Sequence, residues 1–380
     1  MQKQVLLTAG PTPVPDEVLN ALARPVLYHR APAFTECFRE VQEGLRWIFQ
    51  TQQPVLTLAG SGTAGMEAAV TNFLSPGDRV LVVRGGKFGE RWAEIAQAYG
   101  VAVQALDVEW GRAVEPAAVA AALDGDPVLR AVYVTASETS TGVRHPVEAI
   151  AGLCAARPVV LCVVDAITAL GVFDLPMDKL GLDVVVAGSQ KALMLPPGLA
   201  FVAASEKASR AHESAKLPRY YLDLGREKKS QVQGETAFTP GVSLIVALRE
   251  SLRMLRADGL AETFARHARL ARATRAGGEA LGLHLYADRP TDAVTAFRVP
   301  EGLDGSAIVR HMRLRYGVTI AGGQGRLKGK ILRIAHLGWF GPFDIVAAFA
   351  ALEMTLADLG HPVQAGAGVG AVEAVLRRPV

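Results

Sequence analysis

The chain has 380 residues, half of them hydrophobic, more than one hydrophobic core commonly spans, so two domains are expected. Lys and Arg number 40 against 37 Asp and Glu, with no basic run and no basic stripe interleaved with aromatics, which argues against a nucleic-acid partner. The three cysteines, Cys37, Cys154 and Cys162, are odd in number and lack CxxC spacing, which argues against a disulfide framework or a zinc site and fits a reducing cytosol.

The first residues, "MQKQVLLTAG", lack the apolar core of a signal peptide, and the most apolar stretch, 159 to 173, is interrupted by Asp165. The expectation is a soluble, cytoplasmic protein without a membrane span. From residue 54 to 204, short β-branched runs alternate with helical patterns. "VLTLA" (55 to 59), "RVLVV" (79 to 83), "VAVQAL" (101 to 106), "LRAVYVTA" (129 to 136), "VVLCVV" (159 to 164), "DVVVAG" (183 to 188) and "LAFVAA" (199 to 204) read as strands. Several are apolar on both faces, as strands covered on both sides by helices must be. "AGMEAAVTNFL", "FGERWAEIAQAYG", "PAAVAAAL" and "PVEAIAGLCAA" read as the helices between them. This alternation predicts an α/β fold with a mainly parallel, doubly wound sheet, whose ligands sit at the carboxyl ends of the strands.

From residue 243 one long helical pattern, "SLIVALRESLRMLRADG" into "LAETFARHARLARATRAGGEALG", leads to a smaller unit with strand-like "AVTAFRVP" and "KILRIAHLG". The domain boundary is placed inside that helix, giving an arm over residues 1–20, a large domain over 21–250 and a small α+β domain over 251–380. The Gly/Ala-rich end, "HPVQAGAGVGAVEAVLRRPV", is expected to be loosely held.

Three strand ends carry chemistry. After the first strand, Gly60-Ser61-Gly62-Thr63 opens a helix, whose free N–H groups and dipole suit a phosphate, although an ordinary capped turn reads the same way. The turn is neither GxGxxG nor GxxxxGK[ST], which lowers the nicotinamide and triphosphatase readings. Asp165 ends an apolar strand, where an ionised carboxylate is costly without a cation to face. Lys191 follows the next strand, where desolvation lowers the pKa of an amine. An anion anchor, a partner for a protonated ring nitrogen and an amine for an aldehyde are together what pyridoxal phosphate requires.

"LLTAGPTPVP", "AGSGTAGMEA", "ETSTGV", "VVDAITALG", "GSQKALMLPPG", "TPGVSLIVALRES" and "LRIAHLG", in this order, resemble the class V aminotransferases of fold type I, most nearly the alanine/serine–glyoxylate (serine–pyruvate) branch. The resemblance covers residues 5 to about 340. It implies a seven-stranded, mainly parallel sheet and bound pyridoxal phosphate. It also implies a ping-pong transamination from alanine or serine to glyoxylate or pyruvate. Lys191 would hold the cofactor covalently and, once released by substrate, move the proton between Cα and the cofactor. Asp165 would bind the ring nitrogen, with Ile167 on one ring face and Phe88 of "GGKFGERW" on the other, where relatives carry Trp. Thr139 would reach the ring substituents, and Ser61, Gly62, Thr63 and Gln190 would hold the phosphate.

The resemblance further implies that Thr239 and Thr236 of "GETAFTP" reach the phosphate of the neighbouring subunit, so that the active unit is a homodimer. Arg333, on an apolar strand of the small domain, would take the substrate α-carboxylate, for which a guanidinium fork is the matching donor. The backbone at Gly10 would close over the substrate, and Tyr28, His29 and Arg30 either line the entrance or form solvated surface. Two other readings stand beside this one. A lyase such as a cysteine desulfurase shares the fold but needs a reactive cysteine near the substrate. A non-catalytic subunit would keep the fold yet be free to lose Asp165, Lys191 and Arg333.

Overall fold

Seven strands, β1 (Val55–Ala59), β2 (Arg79–Arg84), β3 (Ala102–Asp107), β4 (Leu129–Thr135), β5 (Leu161–Asp165), β6 (Val184–Gly188) and β7 (Leu199–Ala204), form one sheet in the order β1-β7-β6-β5-β4-β2-β3. The computed structural model describes residues 4–378. Strand β7 runs antiparallel to both neighbours, and the other pairings are parallel. Parallel neighbours need a crossover, supplied here by helices such as Gly62–Thr71, Lys87–Ala98, Pro116–Gly125 and Val147–Ala155.

The doubly apolar strands behave as their sequence requires. Leu81 and Val83 face one core, and Val80 and Val82 the other; Val132 and Val134 alternate with Ala131 and Tyr133 in the same way. The exception is β3, an edge strand whose alternating exposure leaves Gln104 half-buried and Asp107 exposed. The fifth strand begins two residues later than its sequence pattern and includes Asp165 as its last residue, paired with both Thr135 and Val186.

The expected single helix after residue 243 is two helices, Val242–Asp258 and Leu260–Ala280. They break at Gly259, whose φ of 81° is open to glycine and strained for other residues. Beyond them, strands Val294–Arg298, Ile331–Ala335 and Ala321–Gly322 make a small antiparallel sheet in that order. The N-terminal segment joins this part of the molecule: Val5–Leu6 pairs in parallel with Val318–Thr319, while Asp16–Leu22 is already a helix packed on Val242–Asp258.

The C-terminal segment is not loose. Ala367–Leu376 is a helix packed against Leu260–Ala280, with Val372 fully buried. The carboxylate of Glu353, on the neighbouring helix Pro342–Asp358, accepts hydrogen bonds from the N–H groups of Gly366 (2.8 Å) and Val369 (2.9 Å). These are first-turn donors that no backbone carbonyl can reach. The small residues that suggested looseness permit close approach instead, since a Cβ on Gly368 would stand 2.9 Å from Leu281.

Candidate active site

A cavity of about 200 Å³ opens at the carboxyl ends of the strands. Its wall holds Gly10, Ser61, Gly62, Thr63, Phe88, Thr139, Asp165, Ile167, Gln190 and Lys191, and adds Arg91, Ser137 and Thr168. The sheet gathers residues more than a hundred positions apart because most of them follow strands that end on the same edge, and Gly10 is added by the N-terminal segment.

Asp165 is buried, and its Oδ1 accepts the Ile167 N–H at 2.9 Å. Burial pushes its carboxyl up to about 7; the Ile167 N–H pulls it back, Glu138 pushes it further up, and Lys191 and Arg91 pull it down. Lys191 lies one strand further along the sheet, after β6. Its carbonyl accepts from Met194 N–H (2.9 Å) and Thr12 Oγ1 (3.2 Å), which fixes the turn. Burial brings the amine down to about 8, Asp165 opposes that, and Arg333 and Arg91 add to it. The ammonium donates to the carbonyl of Ala9, so the N-terminal segment closes directly over the lysine. A Cβ on Gly10 would collide with the lysine side chain, so this crossing has no room for a side chain.

On the helix Gly62–Thr71, the N-cap Ser61 makes no side-chain cap; the Ala64 N–H turns back to the Ser61 carbonyl (2.8 Å), and the N–H groups of Gly62 and Thr63 are left for a ligand. Gly62 has no room for a Cβ, which would stand 2.5 Å from Ile167 Cδ1. Gln190 Oε1 is buried without a partner among the described residues. An open helix terminus, a glycine floor and an unpartnered amide beside a carboxylate and an amine fit a planar cationic ring that carries a phosphate and an aldehyde.

Arg333 is nearly buried on its strand but is set behind this wall. Its Nε donates to Gly322 O (2.9 Å) and its Nη1 to Thr139 O (2.8 Å), while Nη2 has no protein acceptor among the described residues. Burial lowers its pKa to about 10 and Glu138 raises it. Thr139 thus joins the strand that carries Arg333 to the loop after β5, since its hydroxyl donates to Thr168 Oγ1 (2.9 Å).

Thr236 and Thr239 lie outside the cavity of their own chain. Thr236 Oγ1 donates to Phe238 O (2.7 Å), and Thr239 is exposed. Tyr28 and His29 line a surface hollow outside their own chain's cavity, together with Thr239 and Leu244, and Arg30 pairs with Glu235 at 2.7 Å.

Two functional-site residues escaped sequence reasoning. Glu138 is fully buried and accepts from the N–H groups of Phe88 (3.1 Å), Gly89 (3.0 Å) and Ser140 (3.1 Å) and from Ser140 Oγ (2.5 Å). Burial pushes its carboxyl up, and these donors oppose the shift. Unlike Asp165, it sits among Ser137, Thr139, Ser140 and Thr141, so its burial leaves no apolar-run signal in the sequence. Arg91 was legible from helical spacing, three residues after Phe88.

The family model described as aminotransferase class-V matches residues 4–328, a span that stops just short of Arg333. The chain is 47% identical over 379 residues to the soluble hydrogenase, small subunit, of Synechococcus sp. (strain PCC 6716), covering 98% of each chain. It is 40% identical over 371 residues to the L-aspartate–glyoxylate aminotransferase of Paracoccus denitrificans (strain Pd 1222), covering 96% of this chain and 94% of that one. Among solved structures, an alanine–glyoxylate aminotransferase from Nostoc sp. superposes with a TM-score of 0.89 at 31% identity, over 94% of this chain and 96% of that one.

Proposed function

The chain belongs to the class V aminotransferases, and we propose that it moves the amino group of alanine or serine to glyoxylate or pyruvate in a ping-pong cycle. It is a transaminase of fold type I with pyridoxal phosphate as cofactor. The observation that carries the reading is the pair Asp165 and Lys191, on adjacent strand ends in one cavity, with burial holding their pKa values near 7 and 8. When bound, the cofactor supplies a ring that withdraws electrons from the Cα of the attached amino acid.

The chain's residues do the rest. An amine brought down to about 8 is partly neutral at physiological pH, so Lys191 can bond to an aldehyde and afterwards take and return the Cα proton. Asp165 resists ionising alone, and a protonated ring nitrogen beside it restores its charge. Ser61, Gly62, Thr63 and Gln190 hold the phosphate, Phe88 and Ile167 bracket the ring, and Thr139 meets its substituents. Gly10 and its neighbours exclude water above Lys191. Arg333, with Nε and one Nη1 proton already committed, offers the end of its fork to the substrate carboxylate.

Glyoxylate is named for both the Paracoccus and the Nostoc relatives, which supports it as acceptor. For the homodimer, support comes from the loop of Thr236 and Thr239. Exposed Tyr220 and Tyr221 pack on Phe238 there, and exposed Tyr28 and Val26 border the hollow shared with Thr239. Such an apolar surface suits a second copy that would bring both threonines to a neighbouring cavity. Against a desulfurase-type lyase, Cys37, Cys154 and Cys162 are all buried and none lines the cavity.

A half-reaction screen tests the assignment. Each amino acid is added to the holoenzyme and the cofactor absorbance is followed, with Lys191→Ala as control. Alanine or serine should convert the spectrum, and glyoxylate or pyruvate should restore it. A wild-type protein that stays unchanged with every amino acid would instead support a non-catalytic subunit.

A further inference from the structure

The cavity wall has two cations, Lys191 and Arg91. Arg91 stands one helical turn after Phe88, and its guanidinium lies over the Phe88 ring at 4.9 Å from the centroid. Its Nη1 donates to Thr63 Oγ1 at 3.3 Å, on the helix terminus that opens toward the phosphate position. No carboxylate pairs with it among the described residues.

The phosphate ligands named so far, Ser61, Gly62, Thr63 and Gln190, are all neutral. A phosphate monoester carries nearly two negative charges, and a helix terminus offsets about half of one. Lys191 is committed to the aldehyde. We propose that Arg91 is the charge partner of the cofactor phosphate and that it acts through Thr63. The Thr63 hydroxyl has one proton; because its oxygen accepts from Arg91, that proton is left to donate into the phosphate cradle. The stack on Phe88 holds the guanidinium in place, so the ring contact and the phosphate contact share one support.

The inference rests on pyridoxal phosphate occupying this cavity, and the experiment separates the two. Dissociation constants of pyridoxal phosphate and of pyridoxal are measured by equilibrium dialysis for the apo forms of wild type, Arg91→Gln, Arg91→Lys, Thr63→Ala and the double variant R91Q/T63A. Arg91→Gln should weaken pyridoxal phosphate roughly tenfold to a hundredfold, the loss expected for a charge-assisted hydrogen bond, and leave pyridoxal unchanged. Arg91→Lys should fall between. The double variant should lose less than the product of the single losses. Unchanged phosphate-ester affinity in Arg91→Gln, or an equal loss for both ligands, would overturn the inference and leave Arg91 as packing for Phe88. A wild-type protein that binds neither ligand would overturn the cofactor site itself.

Discussion

Asp165→Asn should make the stability of the apo-protein less dependent on pH, and the structure fixes the sign. In the fold, burial raises the carboxyl from its ordinary 3.8 to about 7. Between those values the native chain holds a proton that the unfolded chain has released, so unfolding stability falls as pH rises. The displacement is about three pH units, and each is worth about 1.4 kcal/mol, so wild type should lose roughly 4 kcal/mol between pH 4 and pH 8 from this group alone. Asparagine keeps the shape and can still accept the Ile167 N–H, but it does not titrate. Lys191 works in a different window: its lowered pKa adds stability as pH rises from about 8 towards 10.5 and does not mask the effect. Urea unfolding of both apo-proteins at fixed protein concentration, at pH 5 and pH 8, measures the difference. Because this window covers about two of the three units, the advantage of the variant should grow by about 3 kcal/mol toward the higher pH. An advantage that stays the same at both pH values would mean that Asp165 is ionised throughout and that burial does not govern it.

Arg333→Ala should lower kcat/KM for the amino donor roughly tenfold to a hundredfold, mostly through KM, while the cofactor stays bound. Cofactor loss, read from the absorbance of the purified protein, would show that the link from Arg333 to Thr139 governs the ring instead. Val372→Ala should cost about 1–3 kcal/mol in urea unfolding, because Val372 is fully buried against Gly277 in the helix it packs on. An unchanged midpoint would mean that the C-terminal helix contributes nothing to the core.

The strands were legible because both faces of the sheet are covered, so each strand had to be apolar throughout and therefore stood out from the amphipathic helices. Asp165 and Lys191 were legible for the complementary reason: a charge within an apolar run is expensive, and it persists where chemistry needs it. The break at Gly259 was missed because apolar periodicity continues on both sides of it, although a glycine in that place is a common helix stop. The tail was misread because small residues signal looseness only when nothing packs on them. Here Glu353, on a different helix, supplies the cap, and such a partner is not visible in the tail's own sequence.

Glu138 shows why the site had to be read in three dimensions. Its carboxylate collects the N–H groups of Phe88 and Gly89 at the start of one helix, and the next residue, Thr139, receives Arg333 from the small antiparallel sheet through its carbonyl. One strand end therefore sets the height of the aromatic ring and the reach of the guanidinium together. Its charge acts in the same direction on both neighbours, raising the proton affinity of Asp165 and supporting the cationic form of Arg333. Lys191 feels the sum, since Asp165 holds its proton on while Arg333 and Arg91 drive it off. The reactive amine is thus tuned by Asp165 at a strand end, Arg91 on a helix and Arg333 on the small sheet, with Glu138 acting on Asp165 and Arg333, and only the fold brings them within range of one another.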